Sequence, residues 1–148
     1  MHAKLFRTCL VLGIVLVGVQ LPTVSALDTH AILSRIHIDW APLEQYFDVS
    51  DIHLGEREFR IDGSVLVEDA LMFRLEAKAK FQWYDIPTEV RFYDVDNREL
   101  LPRSYLRFDP PSLMSTGWQP GTRCSASVSL AMVDLSQVKT IRFFKRDR

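Results

Sequence analysis

Beyond the first 26 residues, which hold His2 and Cys9, three histidines, one cysteine and two groups of carboxylates are the residues whose types and spacing could do chemistry. His37 and Asp39 are two residues apart, as are Asp51 and His53, while His30 stands alone upstream. Residues at i and i+2 share one face of a strand, so each pair could offer an imidazole and a carboxylate to a metal ion. No cysteine or third close ligand joins either pair, and solvated polar strand faces account for the same letters. Asp94, Asp96, Asn97 and Glu99 place several oxygen donors in six residues, the donor chemistry that calcium takes. The glycine of an EF-hand loop is missing there and the closing acid comes too early. A hairpin turn asks for Asp and Asn for backbone reasons alone. These four residues are the calcium candidates, and no other metal or cofactor is implied.

Nucleophilic catalysis needs a Ser or Cys on which a histidine and a carboxylate converge. Ser125, Ser127 and Ser129 are spaced as one face of a strand, and no Gly-x-Ser-x-Gly elbow occurs. Cys124 lies in the same alternating run and reads as a small core residue. No catalytic residue is assigned. Among the aromatics, alternation turns Trp40 and Trp83 inward, whereas Trp118 falls in a loop between Pro110-Pro111 and Pro120, together with Leu113 and Met114. Trp118, Leu113 and Met114 are therefore the binding candidates. They either plug the end of the domain or offer an apolar platform to a protein or a sugar.

The elements that must position these residues are strands. From Phe73 to Trp83 six apolar residues alternate with five polar ones, which predicts a strand over 71–84 with Phe73, Leu75, Ala77, Ala79, Phe81 and Trp83 on one buried face. Helix propensity in Leu-Glu-Ala-Lys-Ala-Lys competes, but a helix would scatter those residues around its axis. Cys124 to Met132 alternates similarly, with Cys124, Ala126, Val128, Leu130 and Met132 inward. Shorter runs predict strands at Ile36–Trp40, Phe59–Val67 with Gly63 as a mid-strand bulge, Glu89–Asp94, Leu100–Phe108 and Val138–Phe144. Pro102 marks the Leu100–Phe108 strand as an edge. Ala41–Phe47, with Pro42 at a first helical position, predicts a short helix. About seven strands separated by turns give an all-β class, and specifically an antiparallel immunoglobulin-like β-sandwich.

The first 26 residues differ from the rest. Lys4 and Arg7 precede an apolar run from Cys9 to Val19, Pro22 breaks it, and Val24-Ser25-Ala26 offers small residues for cleavage. That is the three-part pattern of a secretory signal peptide over 1–26; the alternative is an uncleaved membrane anchor, for which the run is short of the length that spans a bilayer. The domain proper is then 27–148, with no stable membrane span after cleavage. Of the 148 residues, 47% are hydrophobic and 25% charged, with a net charge of −1. All 19 acidic residues but only 16 of the 18 basic ones follow Ala26, so that part carries −3. An acidic, exported domain is not one that selects for nucleic acid. With Cys9 gone, Cys124 has no intramolecular disulfide partner, so the domain rests on its core.

Phe59-Arg60-Ile61-Asp62-Gly63-Ser64-Val65, Val90-Arg91-Phe92-Tyr93-Asp94-Val95-Asp96-Asn97 and Trp118-Gln119-Pro120-Gly121 together resemble the strand and turn motifs of bacterial extracytoplasmic FxLYD-type, immunoglobulin-like domains. The similarity spans about 59 to 144. Val67-Glu68-Asp69-Ala70 stands where that family has an Asn-containing turn, and a long strand is inserted between the matching pieces. The resemblance implies an exported sandwich and supplies no catalytic residues. The expectation is a periplasmic or secreted, non-catalytic β-sandwich module that binds a protein partner. The alternative is a carbohydrate-binding module, with a glycan ligand, or a small envelope hydrolase. Two basic groups, Arg74 with Lys78 and Lys80, and Arg142 to Arg148, read as solvated surfaces.

Overall fold

A computed structural model describes residues 26–146; the expected signal peptide falls almost entirely outside them. Helix α1 (Ala26–Leu33) leads into strand β1 (His37–Asp39). Helix α2 (Ala41–Glu44) follows, with Pro42 in its first turn as the sequence suggests. Six further strands complete the sheet: β2 (Phe47–Ile61), β3 (Ser64–Ala77), β4 (Glu89–Tyr93), β5 (Glu99–Asp109), β6 (Arg123–Ser129) and β7 (Thr140–Phe144). A short helix α3 (Leu113–Thr116) precedes β6. The protein is mostly β, as expected.

The strand order is β1-β7-β4-β5-β6-β3-β2. An antiparallel sheet throughout is not what forms, because β1 pairs with β7 in parallel. The sheet curls about β5, whose first half pairs with β4 and whose last four residues, Leu106–Asp109, pair with β6. β5 is thus an interior strand and not the edge that Pro102 suggests. Pro102 is tolerated because the β4–β5 register jumps between Val90 and Phe92, opposite residues 101–103, so no ladder hydrogen bond is asked of it.

Curling brings the inner face of β3 against that of β7. Trp40 packs on both, 4.9 Å from Phe73 and 5.4 Å from Phe143. Phe47, Leu71, Phe73, Leu75, Val90, Phe92, Leu106, Phe108, Ala126, Val128, Ile141 and Phe143 line one continuous core. At its end lies Trp118, 0% exposed. Its ring stacks on Phe81 at 5.5 Å and meets the edges of Phe47 (5.9 Å) and Phe108 (4.9 Å). The backbones of Phe81 and Trp118 also exchange two hydrogen bonds, of 3.2 and 3.0 Å.

Several expected strands are cut differently. The alternating run from Phe73 holds to Ala77; the chain then bends, leaving Ala79 exposed, before Phe81 returns to the core and Trp83 opens a 3-10 turn. Gln82 and Asp85 cap that turn reciprocally, and their local bonds outcompete continuation of the strand. Met132 leaves β6 at a tight turn, with φ +64°, and points to solvent instead of inward. Gly63 is not a bulge. Asp62 (φ +49°) and Gly63 (φ +83°) form the two-residue turn between β2 and β3, with Ile61 opposite Ser64. Asp-Gly is favoured there because both positions of a type I′ turn need positive φ.

β2 escapes sequence reading between Phe47 and Glu58. Phe47 and Val49 face inward at odd positions, but Asp51 and Ile52 together stand opposite Phe73, a two-for-one bulge with Asp51 at φ +52°. The inward set shifts to even positions beyond it, starting with Leu54, and the period of two is broken.

Replacing Trp118 by Ala removes the common partner of three rings. Unfolding in urea should show a loss of about 3–5 kcal/mol, whereas the exposed Met132→Ala should leave the midpoint unchanged.

Candidate interaction surface

The structure places the expected binding residues apart. Trp118 and Leu113 are buried, and as packed neither offers a face to a ligand; Met114 is exposed. The plug reading of this loop is the one observed. Burial of Trp118 is exchanged for exposure of Trp83, expected inward but 40% exposed, with its neighbour Tyr84 also at the surface and their rings 6.1 Å apart.

The calcium candidates have other partners. Asp94 Oδ1 accepts the N–H groups of Asp96 and Arg98, each at 2.9 Å, which is an Asp-led turn closed by Asn97 at φ +60°. Asp96 pairs with Arg98 at 3.5 Å and Glu99 with Arg103 at 2.5 Å. Among the described residues no three His, Cys, Asp or Glu side chains converge as metal ligands. His30, His37 and His53 are exposed, and His53 Nδ1 bonds the Asp51 carbonyl at 2.8 Å. Burial pushes the Cys124 thiol above its ordinary value, an effect that the Trp118 indole partly offsets, so this sulfur is held away from the reactive thiolate form.

A cleft of about 530 Å³ opens beside Cys124. Its arginines are already engaged, Arg74 with Asp51 at 3.2 Å and Arg123 with Glu76 at 2.8 Å, so their charge is spent within the chain. Across the outer face of β4 and β5, Glu89 is buried between Arg91 at 2.6 Å and Arg103 at 3.4 Å, and Arg103 continues to Glu99. Arg91 lies over Phe144 at 4.3 Å and Arg142 over Tyr93 at 4.6 Å. Of the basic C-terminal group, Arg142 and Arg146, the latter 5.4 Å from the Tyr105 ring, are in this way drawn onto the sheet surface through aromatic faces.

Among the described residues, exposed aliphatic side chains are grouped most closely at the end of the β2–β3 hairpin. β6 pairs with β3 only from Ala70 to Glu76, so residues 58–67 extend past it as a two-stranded arm. At the root of the arm Arg57 pairs with Glu68 and reaches Ser127 Oγ at 3.1 Å, while Ser129 Oγ donates to Glu68 at 2.8 Å. The serines expected on the outward face of β6 therefore anchor the arm. Beyond this anchor Ile61 (51%), Val65 (51%), Leu66 (44%) and Val67 (55%) are exposed on a ribbon only ten residues long. Opposed residues share a face. Val65 and Val67 lie on one side with Arg60 and Glu58, and Leu66 and Ile61 lie on the other with Phe59 and Ser64. The sequence signal for the arm is Asp-Gly between two strongly β-forming runs.

No helix among the described residues is long and apolar enough to cross a membrane. Comparison of the chain with protein-family models, curated proteins and solved structures finds no match.

Arg103 holds the Glu99 carboxyl below its ordinary value of 4.5. A depressed carboxyl stabilises the fold above the unfolded-state value and loses that contribution as pH falls through the folded one. Urea midpoints measured from neutral pH down to strongly acid pH should fall more steeply for the native protein than for Glu99→Gln, with the divergence setting in below pH 4.5.

Proposed function

We propose that the chain is an exported, non-catalytic module that binds a protein partner through the β2–β3 arm. The observation that carries this reading is the apolar surface of the arm: four large aliphatic side chains exposed on ten residues that project past the third strand of the sheet. Aliphatic residues grouped at the tip of a projecting element cost solubility unless they are covered, and grouped exposure of this kind marks interaction sites. A two-stranded ribbon is also marginal in water by itself and gains from a further strand or a packed face. The Arg57–Glu68–Ser129 anchor supports the reading, because it fixes the arm's direction relative to the body. The curled sheet behind it serves as a sandwich-type scaffold. Export rests on the charged, apolar and small-residue succession of 1–26.

A glycan ligand is the second reading, and it moves from Trp118 to the exposed pair Trp83 and Tyr84. An exposed indole can stack on a sugar ring, but it lacks the arm's density of uncovered apolar surface.

The test is site-specific photocrosslinking in producing cells, with the photoreactive residue at Val65 or Val67 and, as a control, at the exposed Met132. The arm positions should give a discrete adduct, which from position 65 should disappear in a Val67→Asp background and from position 67 in a Val65→Asp background, and the control should give none. Equal labelling from Met132, or no adduct from either arm position, overturns the proposal. Trp83→Ala should leave the arm adducts intact.

A further inference from the structure

We infer that the occupant of the arm is a second copy of this chain, joined edge to edge through β2 about a two-fold axis at Phe59. The inference rests on the arm as the binding element and names its partner.

The backbone comes first. Opposed residues of an antiparallel pair alternate between those that exchange two hydrogen bonds and those that exchange none. The Ile61–Ser64 pair closes a two-residue turn and is of the first kind. Phe59 and Arg57 follow it in turning their N–H and C=O groups to β3. Arg60, Glu58 and Glu56 therefore direct theirs the other way. β2 is the last strand of the sheet, so those groups form an open edge, the feature that most readily templates pairing with another strand.

The charges then choose the register. Two antiparallel copies of β2 can bond only if outward residues oppose outward residues, which restricts the two-fold to a residue position. Centred on Glu58, that glutamate meets itself; centred on Arg57, Glu56 meets Glu58; centred on Arg60, the arginine meets itself. Centred on Phe59, Glu58 faces Arg60 of the second copy and Arg60 faces its Glu58. Two ion pairs and two pairs of backbone bonds then flank the axis. Glu56 falls opposite Asp62 only beyond the last strand pair, in the turn. Glu58 and Arg60 are both exposed, and among the described residues neither has an ion-pair partner within the chain. Val67 and Val65 stand opposite them on the same face, so the intermolecular pairs would lie between valines of both copies. On the other face Phe59 meets Phe59 beside the two Leu66 side chains. The result is a four-stranded ribbon in the order β3-β2-β2-β3, in which the two Phe59 rings meet at the axis and the valines of each copy flank the intermolecular ion pairs.

The register has an unusual signature. Glu58→Arg places arginine against arginine twice, and Arg60→Glu places glutamate against glutamate twice, so either alone should weaken self-association by roughly tenfold or more. The double variant Glu58→Arg/Arg60→Glu should restore it. So should an equimolar mixture of the two single variants, since both arginines of one copy then face both glutamates of the other. The experiment is sedimentation equilibrium on the purified protein expressed from its full chain, with circular dichroism confirming that each variant folds. Phe59→Cys adds a geometric check. The two copies of residue 59 form a non-hydrogen-bonded pair, close enough for a disulfide, and mild oxidation should give a covalent dimer.

A monomer at every concentration, a dimer indifferent to the charge changes, or single variants that fail to rescue each other overturns the inference. If the protein is monomeric while Val65 still crosslinks to a different protein, self-pairing is wrong and the arm as binding element stands. If neither dimer nor adduct forms, both fail.

Discussion

The contact between Trp118 and the rings of Phe47, Phe81 and Phe108 is the interaction on which the rest of the structure depends. These four residues come from the start of β2, the bend after β3, the end of β5 and the loop before β6. Only a curled sheet brings such distant stretches onto one indole. The curl in turn requires β5 to change partners along its length, and the register jump that houses Pro102 lies in its first half. Large aromatic burial at one end and the Trp40–Phe73–Phe143 contact between the halves fill the space so created.

A core of this size covers only part of the longest strands. β2 and β3 have 15 and 14 residues, while β6, the neighbour of β3, has seven. The excess length has no inner face to cover and no third strand to lean on. Strand length beyond the reach of the core costs ordering entropy without burial to offset it, and the proposed pairing of the arm would supply that burial. The bulge at Asp51–Ile52 adds a second consequence. By shifting the parity of β2 it places Arg57 on the outward face, where β6 presents Ser127, and puts Glu58 and Arg60 on the other. Without that extra residue the arm would have no anchor at its root.

Much of this is legible in the sequence. The β class, the short helix at Pro42, the strands β1, β4, β6 and β7, and the inward sets Phe73-Leu75-Ala77 and Cys124-Ala126-Val128 all follow from alternation, because one buried face imposes a period of two. Three features are not legible, for separate reasons. β2 breaks its own period at a bulge. Trp83 alternates like a strand residue but is diverted by a cap between Gln82 and Asp85, a local bond that pattern does not see. Gly63 reads as a bulge when its two flanking runs are taken as one strand, although Asp-Gly is the stronger turn signal. The same merging hides the exposed arm: Ile61, Val65 and Val67 alternate as core residues would, and only the position of β6 reveals that none of the described residues buries them.

The most direct measurement of the central claim is amide hydrogen exchange at Glu58 and Arg60 across a dilution series of the purified protein. These amides lie on the open side of β2, and their neighbours Arg57 and Phe59 bond to β3. If the edge is occupied by a second copy, these two outward amides gain protection as concentration rises, while Arg57 and Phe59 stay protected throughout. Fast exchange at both, unchanged from the most dilute to the most concentrated sample, would contradict the account.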